Sequence, residues 1–411
     1  MQDTRRLVRI CWALSLLSIL VWSLLPTYSS GWDVAVYRNA VVSLHAGHDP
    51  YADAIAVQQA YHQNPHRYEP GYPIPYSYVY SPITLPLMRL IALLPLGPFT
   101  AVYWALYALC FALTLYVEVK LLETEAASVA LMVPFVVFFP GLLATDTLFS
   151  GNVAIILYGL VFVAAYVAWR SGRWRWFYIA VLLAGCFKAP MLSLLVLPIC
   201  SARRQWWAAA ATGAIGVGLF LLQPRIWPAL FAHYLQAVDL QFLYNRDFSS
   251  SPAGLIANAL FVCAPYRMTS AVAYLAYGMV VFAALFMLGR SYQRGELSLS
   301  EYAPLLLVGA VLLNPRIMEY DLLPVTLPMA VLALRFFRRG CTPAAAALRM
   351  AGFFAVINAL AVLPHQGLSN PPWKLTAGCT LSMVFLAGAW QLHRLVQDRR
   401  TGRVAELSSA A

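Results

Sequence analysis

The sequence predicts an all-α, polytopic bundle of transmembrane helices, and three observations carry that expectation. The 411 residues are 61% hydrophobic and only 11% charged, against about 25% charged residues in ordinary globular chains. A soluble chain of this length has no core large enough to hide so much apolar surface. Apolar runs near the ~20 residues needed to cross a bilayer recur from end to end, where a β-barrel would show ~10-residue stretches of alternating polarity. Finally, the net charge of +11 is gathered as arginine in the short segments between those runs. Retention of positive residues on the cytoplasmic side accounts for it, so no nucleic-acid partner is invoked.

The elements follow in order. Arg5, Arg6 and Arg9 precede a first apolar run, 7–25, and set the N-terminus in the cytoplasm. That run reads as an uncleaved span rather than a signal peptide, because it is long and its small-residue cleavage pattern is weak. Residues 26–81 are then a first external loop, with apolar residues at helical spacing over 34–44 predicting a helix lying in the interface. Its tyrosines, Tyr51, Tyr61, Tyr68, Tyr72, Tyr76, Tyr78 and Tyr80, suit either an interfacial belt or stacking on sugars. For Arg170, Arg173 and Arg175 to be cytoplasmic, 82–95 and 99–122 must together make one crossing. The segment 82–95 is therefore expected to be a partial or tilted piece packed on the bundle. Spans over 129–143 and 153–169 follow, joined by an outer turn with Asp146.

Residues 176–200 are bounded by arginines at both ends, with Lys188-Ala189-Pro190 between them. Two half-helices meeting near the outer face fit this, and one Pro-kinked span is the alternative. Broken helices at membrane depth line polar cavities, and a lysine there is a functional candidate. Beyond Arg203 and Arg204, 208–222 crosses outward to a second external segment, 223–268, that carries Arg225, His233, Asp239 and Asp247. Spans over 269–288, 302–313, 322–334, 352–363 and 373–392 complete a single domain, 1–400, with a polar outer turn from Asn314 to Asp321. The tail 401–411 is expected to be cytoplasmic and without structure.

The scattered cysteines have no paired spacing, so neither a disulfide framework nor a metal site is expected. His62 and His66 have i, i+4 spacing, but Asn64 and Pro65 intervene. No nucleotide-binding phosphate loop is present in the sequence. No cofactor is expected.

The stretch Gly31-Trp32-Asp33-Val34-Ala35-Val36-Tyr37 places a carboxylate where the first span meets water. Asp33 there can serve as a base, or simply cap an interfacial helix. Outer-face acids near Lys188 suit a reaction in which a lipid carries an anionic leaving group: cations hold the phosphate and a carboxylate takes a proton from the attacking hydroxyl. Alternatively these charges pair with one another and brace the loops.

Trp32–Tyr37, then Ala46-Gly47-His48-Asp49-Pro50-Tyr51 and Tyr80-Ser81-Pro82, resemble the start of glycosyltransferase family 87. Phe149-Ser150-Gly151-Asn152, Ala184-Gly185 with Lys188-Ala189-Pro190, and Asn314-Pro315-Arg316 extend the likeness, which spans about 12–339. The resemblance implies a GT-C class bundle similar to polyprenol-phosphate-mannose-dependent mannosyltransferases, with outer-face loops carrying short interfacial helices, in the plasma membrane. It implies Asp33 as catalytic base in an inverting transfer of a hexose from a polyprenyl-phosphate sugar donor to a lipid or glycan acceptor, at the periplasmic or extracellular face. Lys188, Arg316 and Arg225 would hold the donor phosphate, and Tyr37, His48, Asp49, Tyr51, Asp146, Asn152, Glu319 and Asp321 the sugar or acceptor. Where some mannosyltransferase relatives carry histidine in the last outer turn, this chain has Glu319-Tyr320-Asp321. A flippase for a lipid-linked sugar, and an accessory subunit of another enzyme, are the competing readings.

Overall fold

The computed structural model describes residues 13, 31–64, 77–122, 150–245, 248–338 and 372–410, with scattered positions between 342 and 357. The expected spans 7–25 and 129–143 and most of 352–363 lie outside them, as do Asp146, Asp247 and His66. The fold is an all-α polytopic bundle, with no strand among the described residues.

The described residues of 26–81 include two helices. Helix α1 (Trp32–His45) starts at Gly31 in the left-handed region, and α2 (Pro50–Gln63) starts at Asp49, whose carboxylate accepts from Tyr51 N at 2.8 Å. Asp followed by Pro at the first helical position is a strong start signal. The capping role open to Asp33 thus falls to Asp49, for α1 has no side-chain cap. A 3₁₀ turn (Pro82–Thr84) leads into α3 (Leu85–Ile91), then α4 (Leu96–Leu122). At seven residues α3 spans only about 10 Å and cannot cross. It buries Leu85 and Met88 in one cluster with Val36, Ala40 and Val41 of α1.

Helix α5 (Val153–Ser171) is followed by a broken pair: α6 (Arg175–Phe187), an extended Lys188, a 3₁₀ stretch (Ala189–Leu195) and α7 (Val196–Ser201). Trp169 Nε1 donates to Ser201 Oγ at 2.8 Å, and Tyr178 OH to Gln205 Oε1 at 3.0 Å. Both ends of the pair therefore return to the same end of the bundle, which is the half-helix arrangement and not a kinked span. Then come α8 (Trp206–Ile226), α9 (Pro228–Asn245), α10 (Pro252–Ala259), α11 (Tyr266–Gln293), α12 (Leu299–Leu312), α13 (Glu319–Leu322), α14 (Thr326–Phe337) and α15 (Pro372–Ala410). The described residues of 223–268 thus hold α9 and α10, and α15 continues through 401–410, in contrast to the expected unstructured tail.

Helices α4, α5, α8 and α11 and most of α15 are long and apolar enough to cross a membrane. The shorter α12 is buried on all sides, as an all-round apolar helix must be. By contrast α8 and α11 bury only 17% of their most apolar stretch, as lipid-facing helices do. Charges segregate to the two ends. Arg335, Arg399 and Arg400 meet Glu296 and Glu301 at one end, while Asp33, Asn152, Lys188 and Asp321 lie at the other.

The α4–α5 crossing depends on Gly159. A Cβ there would stand 2.7 Å from the carbonyl oxygen of Cys110 and 2.9 Å from its Cα. Gly159→Ala is expected to cost about 1–3 kcal/mol by overpacking, read as a lower Tm in detergent. Adding Cys110→Ala should not restore it, because the obstacle is backbone.

Candidate active site

Asp33 lies in the first turn of α1, half-buried, and its Oδ2 accepts from Asn152 Nδ2 at 3.2 Å. Asparagine suits this position because it offers both an acceptor and a donor. Asn152 Oδ1 caps α5 by accepting from Ala154 N at 2.9 Å, which leaves the amide N–H for Asp33. An aspartate would cap equally well but set a second carboxylate against the first.

Two glycines bring these helix starts together. Gly31 and Gly151 both have positive φ, +81° and +72°, and a Cβ on either would stand 3.2 Å from the Trp104 indole. On Gly151 it would also meet Val34, one residue after Asp33. Tyr103 OH donates to Gly151 O at 2.6 Å, and Tyr37 OH accepts from Val153 N at 3.0 Å and bonds Tyr80 OH at 2.7 Å. Burial pushes the Tyr37 and Tyr80 phenols well above the ordinary range, with the Asp33 carboxylate adding in the same direction. They remain neutral hydroxyls.

Gly151→Ala therefore combines left-handed strain with a clash that separates Asn152 from Asp33. Any activity that depends on Asp33, measured per folded protein, is expected to fall about ten- to a hundredfold, the scale of an ångström misplacement. Gly172→Ala supplies the control. Its φ is +73° at the other end of the same helix with open space around it, so it carries the strain without the displacement and should keep that activity.

Lys188 sits in the break between α6 and the 3₁₀ stretch, its Nζ 3.7 Å from Asp321 Oδ1 and 3.8 Å from the Tyr320 ring centre. Asp321 is buried, and its other oxygen accepts from Met318 N at 2.9 Å. The turn carrying it is braced by Asn314 Oδ1 on Arg316 N and by Ser250 N on Ile317 O. Tyr320 packs against Tyr107, Cys110, Ile155 and Ile156, the cluster that Tyr103 and Trp104 also cover. Arg316 and Asp33 act in opposite directions on the Tyr80 phenol. Arg316 also lines a cavity of about 390 Å³ with Phe242, Ser249 and the Asp239–Arg267 pair. Asp33, Lys188 and Arg316 thus gather at one end of the bundle.

Other expected residues fall elsewhere. Arg225 stands exposed near the end of α8, and the contacts to Ser81 and Ile83 are made by Gln223, two residues earlier. Tyr51 is fully buried, its hydroxyl given to Tyr80 O, so it shapes the site without facing it. Tyr37, Tyr78 and Tyr80 are buried against one another, a packed core and neither a belt nor a stacking platform. Asp49 Oδ2 is 2.6 Å from His233 Nδ1, which ties α2 to α9, and His48 is exposed beside Asp53. Glu319 begins α13. His233, Gln223, Tyr103 and Trp104 also make contacts at this end of the bundle, and of these only Gln223, a glutamine beside an apolar run, carries a signal in the sequence.

The sequence model of glycosyltransferase family 87 matches residues 78–315, more than half of the chain. The chain belongs to that family. No curated protein and no solved structure matches it. The family 87 match takes in Tyr80-Ser81-Pro82, Ser150-Gly151-Asn152 and Lys188-Ala189-Pro190, and ends at Pro315. Asp33, Arg316 and Asp321 lie outside it; Asp33 contacts Asn152 and Asp321 contacts Lys188, both of which are inside the match.

Proposed function

We propose that this family 87 glycosyltransferase moves a hexose, mannose-like, from a polyprenyl-phosphate donor to a hydroxyl of a lipid or glycan acceptor, with inversion at the anomeric carbon. Asp33 takes the acceptor proton as the oxygen attacks C1. The C1–O bond to phosphate breaks with its electron pair on the phosphate, and polyprenyl phosphate leaves. Lys188 and Arg316 meet the charge that develops on the leaving group. Asn152 and Tyr37 hold Asp33 and the helix starts around it. Arg225 plays no part in this reading.

The observation that carries it is Asp33, held by Asn152 at the bundle end shared with Lys188 and Arg316 and opposite the arginine-rich end. By the positive-inside rule the arginine end is cytoplasmic, so the site faces the periplasm or exterior of the plasma membrane and both termini lie inside. One domain, 1–400, carries the whole site.

Purified protein incubated with a panel of polyprenyl-phosphate sugars, with donor consumption followed by mass spectrometry, tests the donor class. Consumption of a nucleotide sugar alone would overturn it. The helix break at Lys188 also suits a flippase. Movement of lipid-linked sugar across liposomes without a new glycosidic bond would favour that second reading.

A further inference from the structure

The arginine end holds a second concavity, remote from Asp33. It is a cleft of about 590 Å³ lined by Ile199, Ala202, Arg203, Arg204, Trp206, Phe286, Arg290 and Gln293. Its size falls within the ~300–1,000 Å³ usual for small-ligand sites. Some arginines of this end are matched within the protein and others are not. Arg399 and Arg400 are matched by carboxylates, with Nη2 to Glu301 Oε1 at 2.7 Å and Nη2 to Glu296 Oε2 at 2.8 Å. Arg335 is satisfied by the carbonyls of Ser300 and Glu301, both at 2.9 Å. Arg203, Arg204 and Arg290 have no carboxylate partner among the described residues. Arg203 only donates to Gln293 O at 2.6 Å, and Arg290 lies over the Phe286 ring at 4.9 Å. Arg204 has a φ of +62°, a conformation that non-glycine residues seldom hold.

Retention of arginine on one side of a membrane explains where these residues are, but not why three of them ring one cavity with aromatic walls. The walls narrow the ligand further. The cleft opens where α8 begins and α11 ends, the two candidate spans that bury least of their most apolar stretch. Trp206 and Phe286 on its wall are exposed, and at helical spacing from them Val217 and Leu221 of α8 and Phe282 and Met279 of α11 continue an apolar surface towards the middle of both helices. A free phosphate has no use for such walls. A phosphodiester joined to acyl chains uses both parts, its head among the guanidinium groups and its chains along the helices.

We infer that this cleft is a binding site for an anionic phospholipid, seated in the leaflet opposite the candidate active site. The full-length protein, stripped of lipid in detergent, is titrated separately with phosphatidylglycerol, with phosphatidylcholine of the same chains, and with inorganic phosphate. Bound ligand is read by native mass spectrometry. Phosphatidylglycerol is expected to bind at least about tenfold more tightly than phosphatidylcholine and to resist displacement by an equal concentration of phosphate. Arg203→Gln with Arg204→Gln and Arg290→Gln should lower its affinity by at least about tenfold, given the contribution of each arginine near an anionic headgroup. Arg170→Gln with Arg173→Gln, at the same end but outside the cleft, should leave it unchanged. The pair Arg204→Gln and Arg290→Gln spares the Arg203 contact to Gln293 and should move affinity the same way if the triple variant folds poorly. Equal affinity for the two lipids, an unchanged affinity in the arginine variants, or displacement by phosphate would each overturn the inference.

Discussion

Asp33→Asn is expected to lower kcat for sugar transfer by about 10²–10⁴-fold, the range over which a positioned general base contributes. The substitution is nearly isosteric, and the replacement amide oxygen still accepts from Asn152 Nδ2, so the 3.2 Å contact between α1 and α5 survives. The helix start survives too, because Gly31 is the N-cap and the Asp33 side chain makes no cap. Structure is thus spared while proton acceptance is lost. An interaction made only in the transition state lowers kcat and kcat/KM together and leaves donor KM in place. Donor turnover measured over a concentration series, with melting temperature as the control, separates the outcomes. Near-normal kcat at unchanged Tm would remove Asp33 as the base. A loss of Tm matching the loss of activity would reduce it to a brace between two helices.

What the sequence made legible is what membrane physics dictates locally. Apolar runs marked the helices α4, α5, α8, α11 and α15, and arginines at both ends of 176–200 marked the half-helices meeting at Lys188. The outer segments were less readable. Asp49-Pro50 is a clear start signal in hindsight, yet α2 and α9 mix tyrosine, histidine and apolar residues without the clean face of an amphipathic helix. Long-range pairing had no sequence signal at all. Asn152 lies 119 residues from Asp33, and His233 184 residues from Asp49. Trp104 was invisible as a site residue because its role is steric, a flat ring on which two glycine turns close. Burial likewise recast the tyrosines: their number marked the segment 26–81, but only packing reveals that Tyr37 and Tyr78 set their rings against Tyr80, and Tyr51 its ring against Tyr78.

Lys188→Met is expected to reduce turnover by about 10²–10³-fold, the scale reported when one preorganised group facing developing charge is removed. Taken alone, that loss is ambiguous. Lys188 is 15% exposed and Asp321 1% exposed, 3.7 Å apart, and stripping one partner from a buried ion pair destabilises by about 3–5 kcal/mol because the other charge is left unmatched. A second substitution resolves it. Asp321→Leu removes the stranded carboxylate, and replacing both members of a buried pair by apolar residues is often neutral or stabilising. The double variant should therefore regain most of the wild-type Tm, less the hydrogen bond from Met318 N. If Lys188 only braces the last outer turn against the α6 break, activity should return with stability. If it meets the leaving phosphate, the double variant melts near wild type and still fails to turn over. Asp321→Asn alone completes the cycle. It keeps Lys188 in place over the Tyr320 ring and relieves it of a counter-charge, so donor affinity should hold or rise while transfer continues. A collapse of transfer in that variant would assign the essential role to the carboxylate rather than to the lysine.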